Sequence, residues 1–364
     1  MKKFCAAFAL LALVGCFAPA EKVDMDNVPV KVGVVTPMSG GFASWGEETQ
    51  AILKQTILNN FGAESNIELV YEDSKCNGQD AVLAYQKLVN VDQVDVILGG
   101  LCSSESLAMA PLLEADGMVA MSGVSANMKL DGLSPNFMTL SYISSAMAKN
   151  MAAEVMEYEK VAIITEENDW NVGMLEVIEQ ELGEKIVSNE IFEKGSKDMR
   201  NTILKALKSE PDVLLLNPNS GPTSGTLFKQ LAEVKEQLED IDLVSQLLVY
   251  LKEDMRTMAP ELSGKIRIVE AALLDDPEFQ SFKDSAGDIV NYTEFLTANT
   301  HDALLNLVLA HRRSVANETD VLSELRNNPL QGFVTSGAQF NNDTFLGGVE
   351  FSTFVLEGGE IVER

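Results

Sequence analysis

Val94-Asp95-Val96-Ile97-Leu98-Gly99-Gly100-Leu101-Cys102-Ser103-Ser104 decides the fold. The short run 94–98 is almost wholly apolar, as in a strand buried on both faces, and it stops at a glycine pair. A helix-period segment, 104–116, follows, and after Gly117 a second apolar run begins, 118–122. A strand that passes through a helix into another strand of the same kind predicts a parallel pair, with the helix as crossover.

The alternation continues on both sides. Upstream, 30–36 and 67–71 read as strands around a helix at 47–61, and 80–90 reads as the next helix. Downstream of Leu140 a second series begins with a helix at 145–158 and a strand at 161–165. It continues through helices at 172–182, 199–209 and 226–235 and strands at 186–191, 213–216 and 241–244. Past Glu270 the rhythm breaks into helical stretches at 276–285, 294–315 and 321–327, with the last strands within 332–362. Helices without partner strands need a surface already built, so this region is expected to pack back on the first two units. The two series share no readable repeat. The predicted class is α/β, with two doubly wound parallel-sheet lobes.

Composition narrows the function. The chain has 364 residues, 46% hydrophobic, enough to bury the cores of two domains. It carries 55 acidic against 27 basic residues, a formal charge of −28. Such a balance repels nucleic-acid phosphates and offers no basic patch to anionic lipid.

The N-terminus has Lys2 and Lys3, an apolar run at 4–14 and then Leu13-Val14-Gly15-Cys16, the parts of a secretory signal. The run is too short to stay in a bilayer, which takes roughly 20 apolar residues. Leu13 to Cys16 resembles the lipobox of bacterial lipoproteins, which implies cleavage before Cys16 and lipid on its thiol. A plain signal cleaved near Ala18-Pro19-Ala20 is the alternative. With Cys5 removed and Cys16 lipidated, Cys76 and Cys102 are left, as one disulfide or as two buried thiols.

Several motifs occur in a fixed order. These are Val32-Gly33-Val34-Val35-Thr36-Pro37-Met38-Ser39-Gly40 with Trp45-Gly46, Glu72-Asp73 before Cys76, the Gly99 to Ser104 stretch, and Gln331-Gly332-Phe333 leading to Phe340-Asn341-Asn342-Asp343. Together they resemble the leucine/isoleucine/valine-binding proteins of ABC importers, over essentially the whole mature chain. The resemblance implies a type I periplasmic binding protein fold, two lobes joined by three hinge crossings and closing on a ligand. It divides the chain into a signal (1–15), a lipid-anchored tether (16–28), an N-terminal lobe (29–142 with 272–334) and a C-terminal lobe (143–271 with 335–364). It also implies a Cys76–Cys102 disulfide beside the pocket, delivery of the solute to a permease, and an extracytoplasmic place on the membrane. A ligand-sensing lipoprotein of the same fold, reporting to a signalling partner, is the alternative.

Carried over residue by residue, the resemblance places Ser103 against a ligand carboxylate at the start of a helix, where unpaired N–H groups and the dipole suit an anion. A serine there is also an ordinary N-cap. Val124, Ser125 and Ala126 would complete the carboxylate site, with Ser125 supplying the hydroxyl that the family has at the position of Ala126. Trp45 and Trp170 would close over the ligand from opposite lobes, with core packing as the alternative, and Asn219 would make the second-lobe side polar. The acids that usually meet an amino acid's ammonium fall on Ser145 and on Gln246 or Leu247, none of them acidic. Either another acid such as Asp169 substitutes, or the solute is a small carboxylate or amide without an α-ammonium.

An enzyme finds little support. The two histidines, His301 and His311, share one helical stretch, and no metalloprotease, serine-hydrolase or phosphate-loop motif occurs. No cofactor and no metal are expected.

Overall fold

The computed structural model describes residues 24–219, 222–246, 262, 264–271, 274–287, 293–340, 343–357 and 360–364. The expected signal, Cys16 and Leu247 lie outside the described residues.

The first sheet is built by β1 (Val30–Thr36), α1 (Ala43–Asn60), β2 (Ile67–Asp73), α2 (Gly78–Lys87), β3 (Val96–Leu98), α3 (Ser103–Asp116), β4 (Ala120–Ser122) and β5 (Phe137–Thr139). All of its strands run parallel, in the order β2-β1-β3-β4-β5. The chain then builds α4 (Ser144–Glu154), β6 (Val161–Glu167), α5 (Asp169–Leu182), β7 (Ile186–Glu193), α6 (Arg200–Lys208), β8 (Val213–Asn217), α7 (Pro222–Ala232), β9 (Asp242–Gln246) and β10 (Ile266–Ala271). It returns with α8 (Pro277–Ala286), α9 (Glu294–Asn317) and α10 (Val321–Asn327), and ends in β11 (Phe351–Glu357) and β12 (Glu360–Glu363).

The second sheet has the order β12-β11-β10-β9-β8-β6-β7. Two of its features go beyond what was predicted. Strand β10 pairs in parallel with β9, so the rhythm runs one unit further. Strands β11 and β12 are antiparallel, because only Gly358-Gly359 separates them and so short a link permits no crossover.

Both sheets are covered on both faces. On β6, Ala162 and Ile164 pack with Ile203, Leu227 and Leu231, while Val161 and Ile163 point the other way onto Met147, Met151 and Ile178. In the first lobe Ala303, Leu304, Leu307 and Val308 of α9 pack on Val32, Val34, Val96 and Met121, so the late helices do return to the sheet built first. Phe340 joins the same core, and Phe345 bridges in parallel to Thr139. The third passage between the sheets therefore falls after Leu346, later than the 334/335 division expected. No helix among the described residues is long and apolar enough to cross a membrane.

Strand order reverses at β1/β3 in one sheet and at β6/β8 in the other. At such points successive loops leave to opposite faces and open a crevice at the carboxyl ends of the strands.

Candidate functional site

The two crevices face each other across a cavity of about 60 Å³. That is several times the ~10–15 Å³ one water needs, so it has room for a small solute. Lobe 1 contributes Trp45, Leu101, Cys102, Ser103, Ser104, Val124 and Ala126; lobe 2 contributes Asn168, Asp169, Trp170, Lys194 and Asn219. Tyr142 and Leu296 line the hinge side.

The loop after β3 owes its path to glycine. Gly99 has φ +128°, and a Cβ there would lie 2.4 Å from the Val35 carbonyl oxygen. Cys102 caps α3, and its N–H donates to Glu105 Oε2 at 2.8 Å. Ser103 is thus the first helical residue and not the cap. Its Oγ accepts from the N–H groups of Ala126 (3.3 Å) and Asn127 (3.2 Å), which ties the helix start to the 124–127 loop. Among the described residues no acceptor takes the Ser103 hydroxyl hydrogen, so this cavity-lining group keeps one donor for a solute.

Cys76 and Cys102 form a disulfide with Cα atoms 5.4 Å apart, joining the loop after β2 to the start of α3 beside the cavity. Among the described residues Cys76, Cys102 and Glu105 are the one group close enough to hold a metal ion, but the bonded sulfurs offer no thiolates.

In lobe 2, Asn168 caps α5 by accepting from Asn171 N–H at 3.0 Å. Asn171 Nδ2 donates to the Asn217 carbonyl at 2.9 Å, and Asn217 Nδ2 donates back to the Asn171 carbonyl at 2.9 Å. This exchange fixes Trp170 relative to Asn219. Buried Glu166 accepts from the N–H groups of Asn219 (2.8 Å) and Gly195 (3.2 Å), bracing two cavity loops at once. Burial raises its pKa, opposed by those two N–H groups. Trp170 Nε1 is buried with no hydrogen-bond partner among the described residues.

Seven of the residues singled out from sequence meet at the cavity: Trp45, Ser103, Val124, Ala126, Asp169, Trp170 and Asn219. Three do not line it. Ser125 is buried behind the loop, donating to the Gly100 carbonyl at 2.8 Å and sharing a 2.7 Å bond with Ser106. Ser145 is half-buried on α4, one residue past the start that Ser144 makes with Met128 N–H. Gln246 Nε2 donates to the Pro218 carbonyl at 2.9 Å and so braces the loop that carries Asn219.

Lys194 and Tyr142 were not anticipated. Lys194 follows the edge strand β7, in a Lys-Gly pair that reads as any surface turn. Tyr142 lies where the chain leaves the first sheet, stacked on Phe295 at 5.7 Å. Burial raises the Tyr142 pKa well above the ordinary value, with the Glu270 charge adding to it. His301 and His311 both lie on α9 away from the cavity, His301 at 2.7 Å from Asp302 and 2.9 Å from Asn60.

The lobes touch at the cavity. Lys194 Nζ donates to the Cys76 carbonyl at 2.8 Å, Asn127 Nδ2 to the Asp169 carbonyl at 2.6 Å, and Lys129 pairs with Glu176 at 3.8 Å.

This geometry has relatives. A family model described as "Periplasmic binding protein" matches residues 29–345. The chain belongs to the periplasmic binding protein family. Within that family it is similar to an amino acid binding protein of Pseudomonas aeruginosa, 26% identical over 219 residues, 56% of this chain and 57% of that protein. The match thus spans less than two thirds of that curated relative's length. Two solved structures share the periplasmic binding protein fold. A solute-binding protein of an R. palustris ABC transporter, in complex with 4-hydroxybenzoate, has a TM-score of 0.77 at 15% identity, covering 93% of this chain and 96% of that one. The branched-chain amino acid transporter substrate-binding protein of Streptococcus pneumoniae, in complex with isoleucine, has a TM-score of 0.74 at 17% identity, covering 93% and 100%.

Proposed function

We propose that the chain is the extracytoplasmic solute-binding lipoprotein of an ABC importer. It catches a small carboxylate-bearing solute, an amino acid or a related acid, between its lobes and presents the closed form to a permease. Lipid on Cys16 would moor it to the membrane.

The observation that carries this reading is the unused Ser103 hydroxyl donor on the first turn of α3, inside a cavity between two strand-order switch points. A second helix, α5, starts on the opposite wall at Asn168 and Asp169. Two helix N-termini on one small cavity favour an anionic group. Trp45 and Trp170, one from each lobe, give an apolar body two rings to lie against. In this reading Ser103 and the 124–126 backbone hold the carboxylate, and Asn219 and Trp170 reach the solute only when the lobes close. Closure follows because a solute shifts the lobe equilibrium through its differential affinity for the closed state. The ligands for which these relatives are named, amino acids and a hydroxybenzoate, share a carboxylate, which supports the class.

Thermal-shift measurements with L-leucine, L-isoleucine, benzoate and 4-hydroxybenzoate test it. A melting temperature that rises with the concentration of one acid is expected. A flat response to all four, with binding of an amine or a sugar instead, would contradict it.

A further inference from the structure

Lys194 is the one basic residue lining the cavity among the described residues. Its ammonium donates to the Cys76 carbonyl at 2.8 Å, has Cys76 Sγ at 3.5 Å, and lies 5.0 Å from the centre of the Phe42 ring. No described carboxylate pairs with it directly, in a chain with twice as many acids as bases. The nearby acids are otherwise engaged. Glu105 and Glu166 accept from backbone N–H groups, and Asp169 is exposed. Burial pushes the Lys194 pKa down, while Glu166, Glu105 and Asp169 at longer range push it up. An ammonium has three donors, and here one oxygen and one sulfur answer them. Ser104 Oγ reaches the same Cys76 carbonyl at 3.4 Å, so the ammonium stands beside the first turn of α3, in the cavity that Ser103 also lines. A partly desolvated cation with a donor in reserve is stabilised by an anion that enters beside it.

We propose that Lys194 determines specificity: it meets the solute's carboxylate from lobe 2 while Ser103 holds it from lobe 1, so the protein selects acids over their neutral amides. This rests on the carboxylate reading above and adds which residue enforces it. The bridging anion would also join the lobes, coupling charge recognition to closure.

Calorimetric titration of the wild type, Lys194→Gln and Lys194→Arg tests it, using L-leucine, L-isoleucine, benzoate and 4-hydroxybenzoate, each beside its amide. The wild type should prefer the acid of a pair. Lys194→Gln should weaken that acid by roughly 10- to 100-fold, the range of a lost charge-assisted hydrogen bond, and erase the preference for acid over amide. Lys194→Arg should keep the preference, and circular dichroism should show the same fold for all three unliganded proteins. Acids that bind Lys194→Gln as tightly as wild type would overturn the role of Lys194 and leave the carboxylate reading standing. Amides that match their acids on the wild type, or four acids that fail to bind, would overturn both.

Discussion

Asn127 Nδ2 donates to the Asp169 carbonyl oxygen across the cleft at 2.6 Å, while Asn127 N–H donates to Ser103 Oγ at 3.2 Å. One residue therefore joins the first turn of α3 in lobe 1 to the first turn of α5 in lobe 2. Asn127 Oδ1 is held by Lys129 N–H at 2.8 Å, which leaves the amide one orientation. The group expected to hold a solute is thus wired to the contact that closes the lobes.

Asn127→Ala should loosen closure without removing a cavity-lining group. A net hydrogen bond is worth about 1 kcal/mol, so solute affinity should fall roughly 5-fold. Small-angle scattering should show a larger radius of gyration for the variant at the same solute concentration. An unchanged radius would mean that the 2.6 Å contact does not govern closure.

Ser103→Ala removes both the acceptor of two loop N–H groups and the proposed donor to the solute. Binding should weaken by about 1.5–3 kcal/mol if that hydroxyl meets a carboxylate. Calorimetry against the tightest acid reads this, and unchanged affinity would remove Ser103 from the site.

The parts legible in sequence are those where one residue type has one use. Apolar runs placed β1 and β3, and the helices that follow them, α1 and α3, carry Trp45 and Ser103 to the cavity. The parts that were not legible depend on packing partners distant in sequence. Strand β5 is three residues long, and Phe137–Thr139 has its partners in β4 and in Phe345. Ser125 and Gln246 look like binding residues because they are polar and sit beside binding loops. The structure shows their side chains bonded to backbone carbonyls behind those loops. Lys194 carries no local signal, since only the fold brings the end of edge strand β7 to the Cys76 carbonyl.

The Cys76–Cys102 bond closes a loop of 26 residues. Replacing both cysteines by alanine should destabilise the protein by about 3–4 kcal/mol if the loop-entropy account holds. Denaturant melts of the variant and of the wild type in dithiothreitol should agree with each other and fall below the oxidised wild type. Coincident curves for all three would show that the bridge does not stabilise the fold.

Glu105 gives a pH dependence with a definite sign. Burial raises its pKa to about 7 from the ordinary glutamate value of 4.5, against hydrogen bonds from Ser74, Cys102 and Leu101 that favour the anion. The folded state holds this proton more tightly than the unfolded chain. The stabilisation is therefore complete below pH 4.5 and is lost as pH rises to about 7, on the order of 3 kcal/mol. Buried Glu166 acts in the same direction. Unfolding free energies between pH 5 and 8 should fall for the wild type and fall less for Glu105→Gln. Parallel curves would place the titration elsewhere.

The two tryptophans of the chain, Trp45 and Trp170, both line the cavity from opposite lobes. Intrinsic fluorescence therefore reports on this site and on little else, and the most direct measurement is tryptophan emission followed during titration with the four acids. A solute caught between the lobes must alter the emission, saturating at one molecule per chain, and the change should shrink when either tryptophan is replaced by phenylalanine. One-to-one binding by calorimetry with no change in emission would put the solute outside the cleft and contradict the account.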